Sequence, residues 1–415
     1  MATTTPNRWL IAGAGVVMQI ALGAVYAWSV FRIPLTQAFG WTISQVTLAF
    51  TIAILVLGFA AFAGGIWMRR VGPRTVGLTA GILYGLGVFL ASFAGNRLWW
   101  LYCSYGFIAG VGLGLGYIVP VATLVKWFPD KRGLITGVAV TGFGSGALIT
   151  APIATRLIAQ VGVLQTFAIL GAMYFVAVTG AALFMQDPPE GYQPPGWVPT
   201  SAQQKQRSAR ASTLQEAIQS WQWYALWTLL FLNTTAGIAI ISQAAPMAQE
   251  ITSATAVQAA AMVGLISIAN GAGRLMWAWL SDFIGRRTVF LLMFPIQAAI
   301  FWLLPSVQSF SAFTALLFLI LLCYGGGFGT MPAFAADYFG AKNVGSIYGL
   351  MLTAWGFAGV LGPTVIATLR QNSGRYDEAL LTIAGLMLLS AVIPALVRPP
   401  TIRTTPQAGT TVRVS

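Results

Sequence analysis

The sequence predicts an all-α integral membrane protein: twelve transmembrane helices in two six-helix pseudo-repeats, with both termini cytoplasmic. Three observations carry this. The 415 residues are 57% hydrophobic and only 7% charged. Apolar runs of about twenty residues, each long enough to cross a bilayer as a helix, recur from end to end, whereas the short alternating segments of a membrane β-barrel are absent. The Lys and Arg residues also sort by membrane side. One side holds sixteen (Arg8, Arg69, Arg70, Arg74, Lys126, Lys131, Arg132, Lys205, Arg207, Arg210, Arg286, Arg287, Lys342, Arg398, Arg403 and Arg413) and the other holds five (Arg32, Arg97, Arg156, Arg370 and Arg375). That positive-inside bias sets the orientation.

The helices are expected in order at 9–31, 43–66, 76–95, 98–125, 134–156 and 163–185. After a polar, Pro-rich connection come 221–245, 256–280, 288–306, 311–336, 345–369 and 378–397. The organisation is then a six-helix bundle over 1–186, a cytoplasmic linker over 187–220, a second bundle over 221–398 and a disordered tail over 399–415. Leu214 to Ser220 reads as an amphipathic lead-in to the seventh helix. The apolar stretch behind Arg8 might suggest a cleaved leader, but it has one basic residue, is long enough to span, and is followed by many more spans.

The two halves read as copies. Trp67 to Arg74 matches Leu280 to Arg287 at an offset of about 213, and Lys126-Trp127-Phe128 matches Asp337-Tyr338-Phe339 at about 211. Pro152 and Pro363 pair at about the latter spacing. Parallel repeats joined by a polar linker imply a cavity near the midplane between the halves.

Composition also excludes functions. The net charge of +13 is spread by membrane side and not gathered into a face, so nucleic acid is not a partner; the lipid bilayer is. Cys103 and Cys323 lie within apolar runs and read as packing residues, with no disulfide and no metal-ligand spacing. No cofactor is expected: the glycines at 110 and 112 do not open a dinucleotide fingerprint, because its third glycine falls on Leu115 and no strand precedes the run. An enzyme would need a histidine, an embedded carboxylate, a metal cluster or a nucleophile–base pair, none of which the sequence offers. The glycine stripes of the fourth, fifth and eleventh helices read as packing surfaces first and sliding surfaces second.

One residue breaks the pattern. Arg274, in Ser267-Ile268-Ala269-Asn270-Gly271-Ala272-Gly273-Arg274, is the only charge not placed at a membrane edge, and all nine acidic residues fall at loops or helix ends. A charge at that depth costs about 3 kcal/mol on insertion scales and normally faces a polar cavity with a partner. Arg274 lies about 12 Å from the helix end at Asp282, so snorkelling or bonding to carbonyls is the bland alternative. Against it, Asn270 and Ser267 continue a polar stripe on the same face toward the midplane. A cation with no encoded counter-ion points to a small organic anion that arrives from outside. A carrier of cationic drugs would want an embedded acid instead.

The turn Asp282 … Gly285-Arg286-Arg287 resembles the signature loop of the major facilitator superfamily, and the first copy departs from it with Arg69 in the acid's place. Asn7-Arg8-Trp9, Gly23-Ala24-Val25-Tyr26-Ala27-Trp28, Lys126 to Gly133, Asn270 to Arg274 and Tyr324-Gly325-Gly326 with Phe328 resemble, more narrowly, the oxalate/formate antiporter family and bacterial relatives of monocarboxylate transporters. The resemblance implies the major facilitator fold, while the positive-inside bias and the absence of a targeting segment suit a bacterial inner membrane. The resemblance also implies that Arg274 contacts a substrate carboxylate and that Tyr26, Tyr117, Tyr324 and Phe328 line the cavity. The position of that family's second cationic contact looks like Trp355 here. One buried charge matches a monocarboxylate such as lactate, pyruvate, formate or acetate, whose other end packs against Trp355 and Phe328; a dianion would keep one carboxylate uncompensated. The expected function is a non-enzymatic secondary transporter of monocarboxylates working by alternating access as a monomer, coupled to protons, with oxalate/formate-type exchange as the alternative. Coupling has three open routes: exchange for another anion, a proton carried on the substrate, or titration of a helix-end acid such as Asp337 or Glu250.

Overall fold

A computed structural model describes residues 6–198 and 211–400, and these are helical with no strand among them. Twelve helices are long enough to span. The first, α1 (Arg8–Phe39), starts at Asn7, whose side chain accepts from the Trp9 amide at 2.9 Å, and stops at Gly40. It is longer than the expected 9–31, because a 3-10 stretch (Ala24–Trp28) keeps the axis going and Pro34 lies within the continuation. Helices α2 (residues 43–71) and α3 (residues 73–90) run end to end, broken only at Gly72 (φ 81, ψ 165). Only glycine adopts that conformation cheaply, and Pro73 supplies a preset φ for the next helix.

Helix α4 (Leu98–Trp127) contains a π-helical segment, Tyr102–Ala109, that the apolar pattern does not announce. Then follow α5 (Arg132–Val161) and α6 (Val163–Ala182), joined at Gly162. Beyond the connection, the short helix Leu214–Ile218 is closed by a capping box between Thr213 and Glu216, slightly shorter than the expected lead-in. The second set comprises α7 (Trp221–Thr252), α8 (Ala256–Ile284), α9 (Arg286–Leu303), α10 (Phe310–Phe339), α11 (Val344–Ser373, interrupted at Leu352) and α12 (Asp377–Leu396). Gly285, between α8 and α9, has φ 87 and ψ 149, the same kind of bend as Gly72 at the matched turn. The expected tail lies outside the described residues apart from Pro399 and Pro400, as does the part of the linker from 199 to 210.

Large apolar side chains such as Phe59, Phe107, Val176, Trp302 and Leu389 face outward, as a lipid-facing surface requires. Cys103 is among the exposed residues, which corrects its expected packing role; Cys323 is buried, and both are free thiols.

The first six helices meet the last six mainly along α5 with α8 and α2 with α11. Glycine permits this approach: a Cβ at Gly65 would strike the Gly345 carbonyl, one at Gly349 the Ala61 carbonyl, and one at Gly133 the Ala278 carbonyl. At the end bearing the basic turns, charge joins the halves. Asp282 accepts from the Gly133 amide at 2.9 Å and the Leu134 amide at 2.8 Å, at the N-terminus of α5. It also pairs with Arg286 at 2.7 Å, while Asp337 holds Arg132 at 2.8 Å and Arg286 at 3.0 Å. Where the first-half turn lacks its acid, Arg69 and Arg70 stay exposed and the contact with α11 is made by Gly65 and Met68 against Gly345.

Candidate functional site

Arg274 sits on α8 at the seam between the two sets of helices, fully buried, and no other charged residue among those described is buried. Snorkelling is thereby excluded. Three glycine contacts fix its backbone: Gly273 lies against the Leu322 carbonyl, Gly329 of α10 against the Arg274 carbonyl, and Gly137 of α5 beside Leu275. The side chain then has one direction left, across the seam toward α5. Its Nε donates to Asn270 Oδ1 at 3.3 Å, one turn back on the same helix. Its Nη1 donates to the Val140 carbonyl of α5, also at 3.3 Å. Both bonds are long. Nη2 has no partner among the described residues, and no acidic side chain pairs with this guanidinium.

Aromatic rings enclose the cation. Its Cζ lies 5.0 Å from the Phe328 ring centre and 5.9 Å from that of Phe143. Such contacts stabilise a desolvated cation by about 0.5–2 kcal/mol, well short of the cost of burying it alone. The rings continue as one connected set. Phe328 meets Tyr324 at 5.4 Å and Trp355 at 4.9 Å; Trp355 meets Tyr117 at 5.7 Å, Phe143 at 5.6 Å and Tyr26 at 6.2 Å. Phe143 also meets Tyr26 at 5.3 Å and Tyr117 at 5.2 Å. The seven residues singled out in the sequence therefore form one cluster drawn from α1, α4, α8, α10 and α11. Ser267 does not join it, because its hydroxyl donates to the Val263 carbonyl of its own helix.

Hydroxyl groups supply the remaining polarity. Tyr26, Tyr117 and Tyr324 lie near the guanidinium, Tyr26 with its hydroxyl toward it. Tyr117 and Tyr348 interact through their hydroxyl ends. The Tyr26 hydroxyl faces Arg274 and Tyr324 and the Tyr117 hydroxyl faces Tyr348, each just outside good hydrogen-bonding geometry, and all four oxygens are enclosed. Buried polar atoms are normally satisfied, so hydroxyls that meet chiefly one another, beside a cationic nitrogen without a partner, make this cluster the candidate site.

Sequence reasoning missed Phe143, Tyr348 and a supporting pair. Asn233 of α7 donates to the Tyr324 carbonyl at 3.1 Å and accepts from Gln297 of α9 at 3.1 Å. On the other side Gln19 of α1 donates to the Tyr117 carbonyl at 3.1 Å. Each amide thus anchors the helix segment that carries a site tyrosine. Gln19, Asn233 and Gln297 are polar residues inside apolar runs, the same signal that flagged Arg274, and they could have been found by it.

Twelve helices meeting at a seam with a lone buried cation are the architecture of a membrane transporter. The chain belongs to the Major Facilitator Superfamily, whose family model matches residues 13–249 and 226–413. It is a multi-pass membrane protein and a non-enzymatic transporter, consistent with the bacterial inner-membrane location expected from the sequence. It is 32% identical over 359 residues, 85% of this chain and 86% of the relative, to the uncharacterized MFS-type transporter YhjX of Escherichia coli. It is 26% identical over 404 residues (95% and 93%) to the oxalate:formate antiporter of Oxalobacter formigenes. It is 24% identical over 450 residues (84% and 82%) to apicoplast pyruvate carrier 1 of Toxoplasma gondii. Among solved structures the fold matches the E. coli fucose:proton symporter FucP with a TM-score of 0.71 and 15% identity, covering 94% of this chain and 99% of that one.

Proposed function

We propose that this protein is a secondary active transporter of small monocarboxylates, such as lactate or pyruvate, in which Arg274 pairs with the substrate carboxylate during alternating access. The observation that carries the reading is the unpartnered Nη2 of a fully buried guanidinium at the seam of the two halves. A planar fork suits both oxygens of a carboxylate. One cation matches one carboxylate, and the rings of Phe328 and Trp355, in contact with each other beside it, suit a short apolar tail. Because Arg274 already reaches Val140 on the opposite half, a bound anion that draws the guanidinium away exchanges one cross-seam contact for another.

We take proton-coupled symport as the working mode. A buried arginine does not deprotonate, so the proton travels on the substrate or on an acid that controls the seam. Asp337 is an acid that ties Arg132 of α5 to the last six helices. Exchange of one carboxylate for another is the second reading, favoured by the likeness to an oxalate:formate antiporter over nearly the whole chain.

Labelled lactate uptake into proteoliposomes tests both. Uptake into empty vesicles driven by an inward proton gradient supports symport, and uptake only into vesicles preloaded with unlabelled carboxylate supports exchange. Uptake in neither set, or unchanged uptake by Arg274→Gln, rejects the monocarboxylate assignment.

A further inference from the structure

The ties across the seam at the end bearing the basic turns are themselves held from behind. Arg132 and the Gly133 and Leu134 amides of α5 meet Asp337 and Asp282 of the second set, and they follow directly on the turn at residues 128–131 between α4 and α5. That turn is gripped by the start of α1. Arg8 donates through Nη1 to Asp130 Oδ1 at 2.7 Å and through Nη2 to Oδ2 at 3.1 Å. Its Cζ lies 4.5 Å from the Phe128 ring centre, and Trp9 packs edge-on against the same ring at 4.9 Å. The side chains of the pair are only 17% and 11% exposed, so this two-pronged contact is better shielded from water than a surface ion pair. Local preference does not account for it, because a helix dipole disfavours a cation in the first turn, where Arg8 stands.

The second set repeats the arrangement with different chemistry. Phe339 is the counterpart of Phe128 in the matched segments, and the chain leading toward α7 grips its turn. The Ser212 amide donates to the Phe339 carbonyl at 2.9 Å, and Asn343 Nδ2 donates to the Ser212 carbonyl at 2.6 Å. Asp337 lies two residues before Phe339. In each half, then, the segment entering the first helix holds the turn beside the charge that crosses the seam. We propose that Arg8 and Asp130 are positioning residues for alternating access: their pair sets the α4–α5 turn so that Arg132 and the start of α5 close on the second half. Without it the closed seam loosens, although every group that ties it is still present. Helices α1 and α4 are also joined deeper in, where Gln19 donates to the Tyr117 carbonyl at 3.1 Å, and they carry Tyr26 and Tyr117 of the candidate site. The brace thereby connects the site to the seam, whichever anion is carried.

The test reads the seam in the purified full-length protein without substrate. Cys103 is replaced by Ser because it is exposed, and a cysteine is placed at Thr136, which is buried behind the ties. The rate of its reaction with a soluble thiol reagent is measured, with the buried Cys323 of the second set as the control. Expected is roughly two- to tenfold faster labelling at position 136 in Arg8→Gln and in Asp130→Asn than in the parent, with Cys323 unchanged. The two changes together should give no more than either alone, since they remove one interaction. Added to Arg132→Ala with Asp282→Ala, which remove the ties themselves, Arg8→Gln should change nothing. Parent-like labelling in both single variants overturns the proposal even if their unfolding temperature falls, because a merely structural pair moves stability alone. Equal acceleration at Cys323 in both variants is general loosening and overturns it. An undiminished effect of Arg8→Gln once the ties are gone overturns it as well, since the pair would then act elsewhere.

Discussion

Replacing Arg274 by Gln separates a binding role from a structural one, because the two predict opposite changes in the empty protein. The guanidinium has two bonds of 3.3 Å, two ring contacts and no acidic partner among the described residues. The effective penalty for burying one charge is several kcal/mol, and long hydrogen bonds with cation–π contacts offset only part of it. Arg274→Gln should therefore leave the unliganded protein equally stable or more stable. Binding should suffer instead. Removing one partner of a buried, hydrogen-bonded charge pair costs about 2–5 kcal/mol, or roughly 30- to 5,000-fold in Kd. The assay is thermal unfolding in detergent with and without lactate. At a hundred times Kd the wild type should gain about 2.7 kcal/mol, and the variant at the same concentration almost nothing. A variant that keeps the lactate-dependent gain refutes the pairing. An empty variant that unfolds well below the wild type refutes the energetic argument and makes Arg274 a clasp on Val140.

Other perturbations test the surroundings. Trp355→Lys adds a second cation beside Tyr117 and Phe328, so competition assays should show oxalate binding tighter and lactate weaker than in the wild type. Asn233→Ala removes the donor to the Tyr324 carbonyl and the acceptor for Gln297; it should cost about 1–3 kcal/mol in unfolding measurements, with lactate affinity falling as Tyr324 loosens. Gly65→Val sets a branched side chain against the Gly345 carbonyl; uptake should be abolished, and a cysteine placed at Ala61 should react faster with a soluble thiol reagent than in the parent. Asp282→Ala strips the acceptor from the Gly133 and Leu134 amides and from Arg286; labelling of a cysteine at Thr136 should rise severalfold, and an unchanged rate would mean that this charge cluster does not hold the seam.

The sequence by itself determined the fold class. In a bilayer each backbone amide must be satisfied within its own segment, so a run of twenty apolar residues is almost bound to be a helix, and lipid-facing residues need no partner to be interpreted. The matched turns at Gly72 and Gly285 were legible for a related reason: backbone with φ above 80° and extended ψ is open cheaply only to glycine. Arg274 stood out because a charge at depth is costly and seldom stays there without a partner. Tertiary structure decided what apolar patterning does not encode. The π segment of α4 and the continuation of α1 past residue 31 depend on neighbouring helices and not on local hydropathy. Phe143 and Tyr348 look in sequence like any packing aromatic; their place beside Arg274 and Tyr117 exists only once α5 meets α8 and α11 meets α4. Which oxygen atoms are left unmet is likewise a property of the packed interior. The Ser267 hydroxyl is met within its own helix, whereas a tyrosine hydroxyl faces whatever distant parts of the chain bring to it, and only the assembled bundle fixes that.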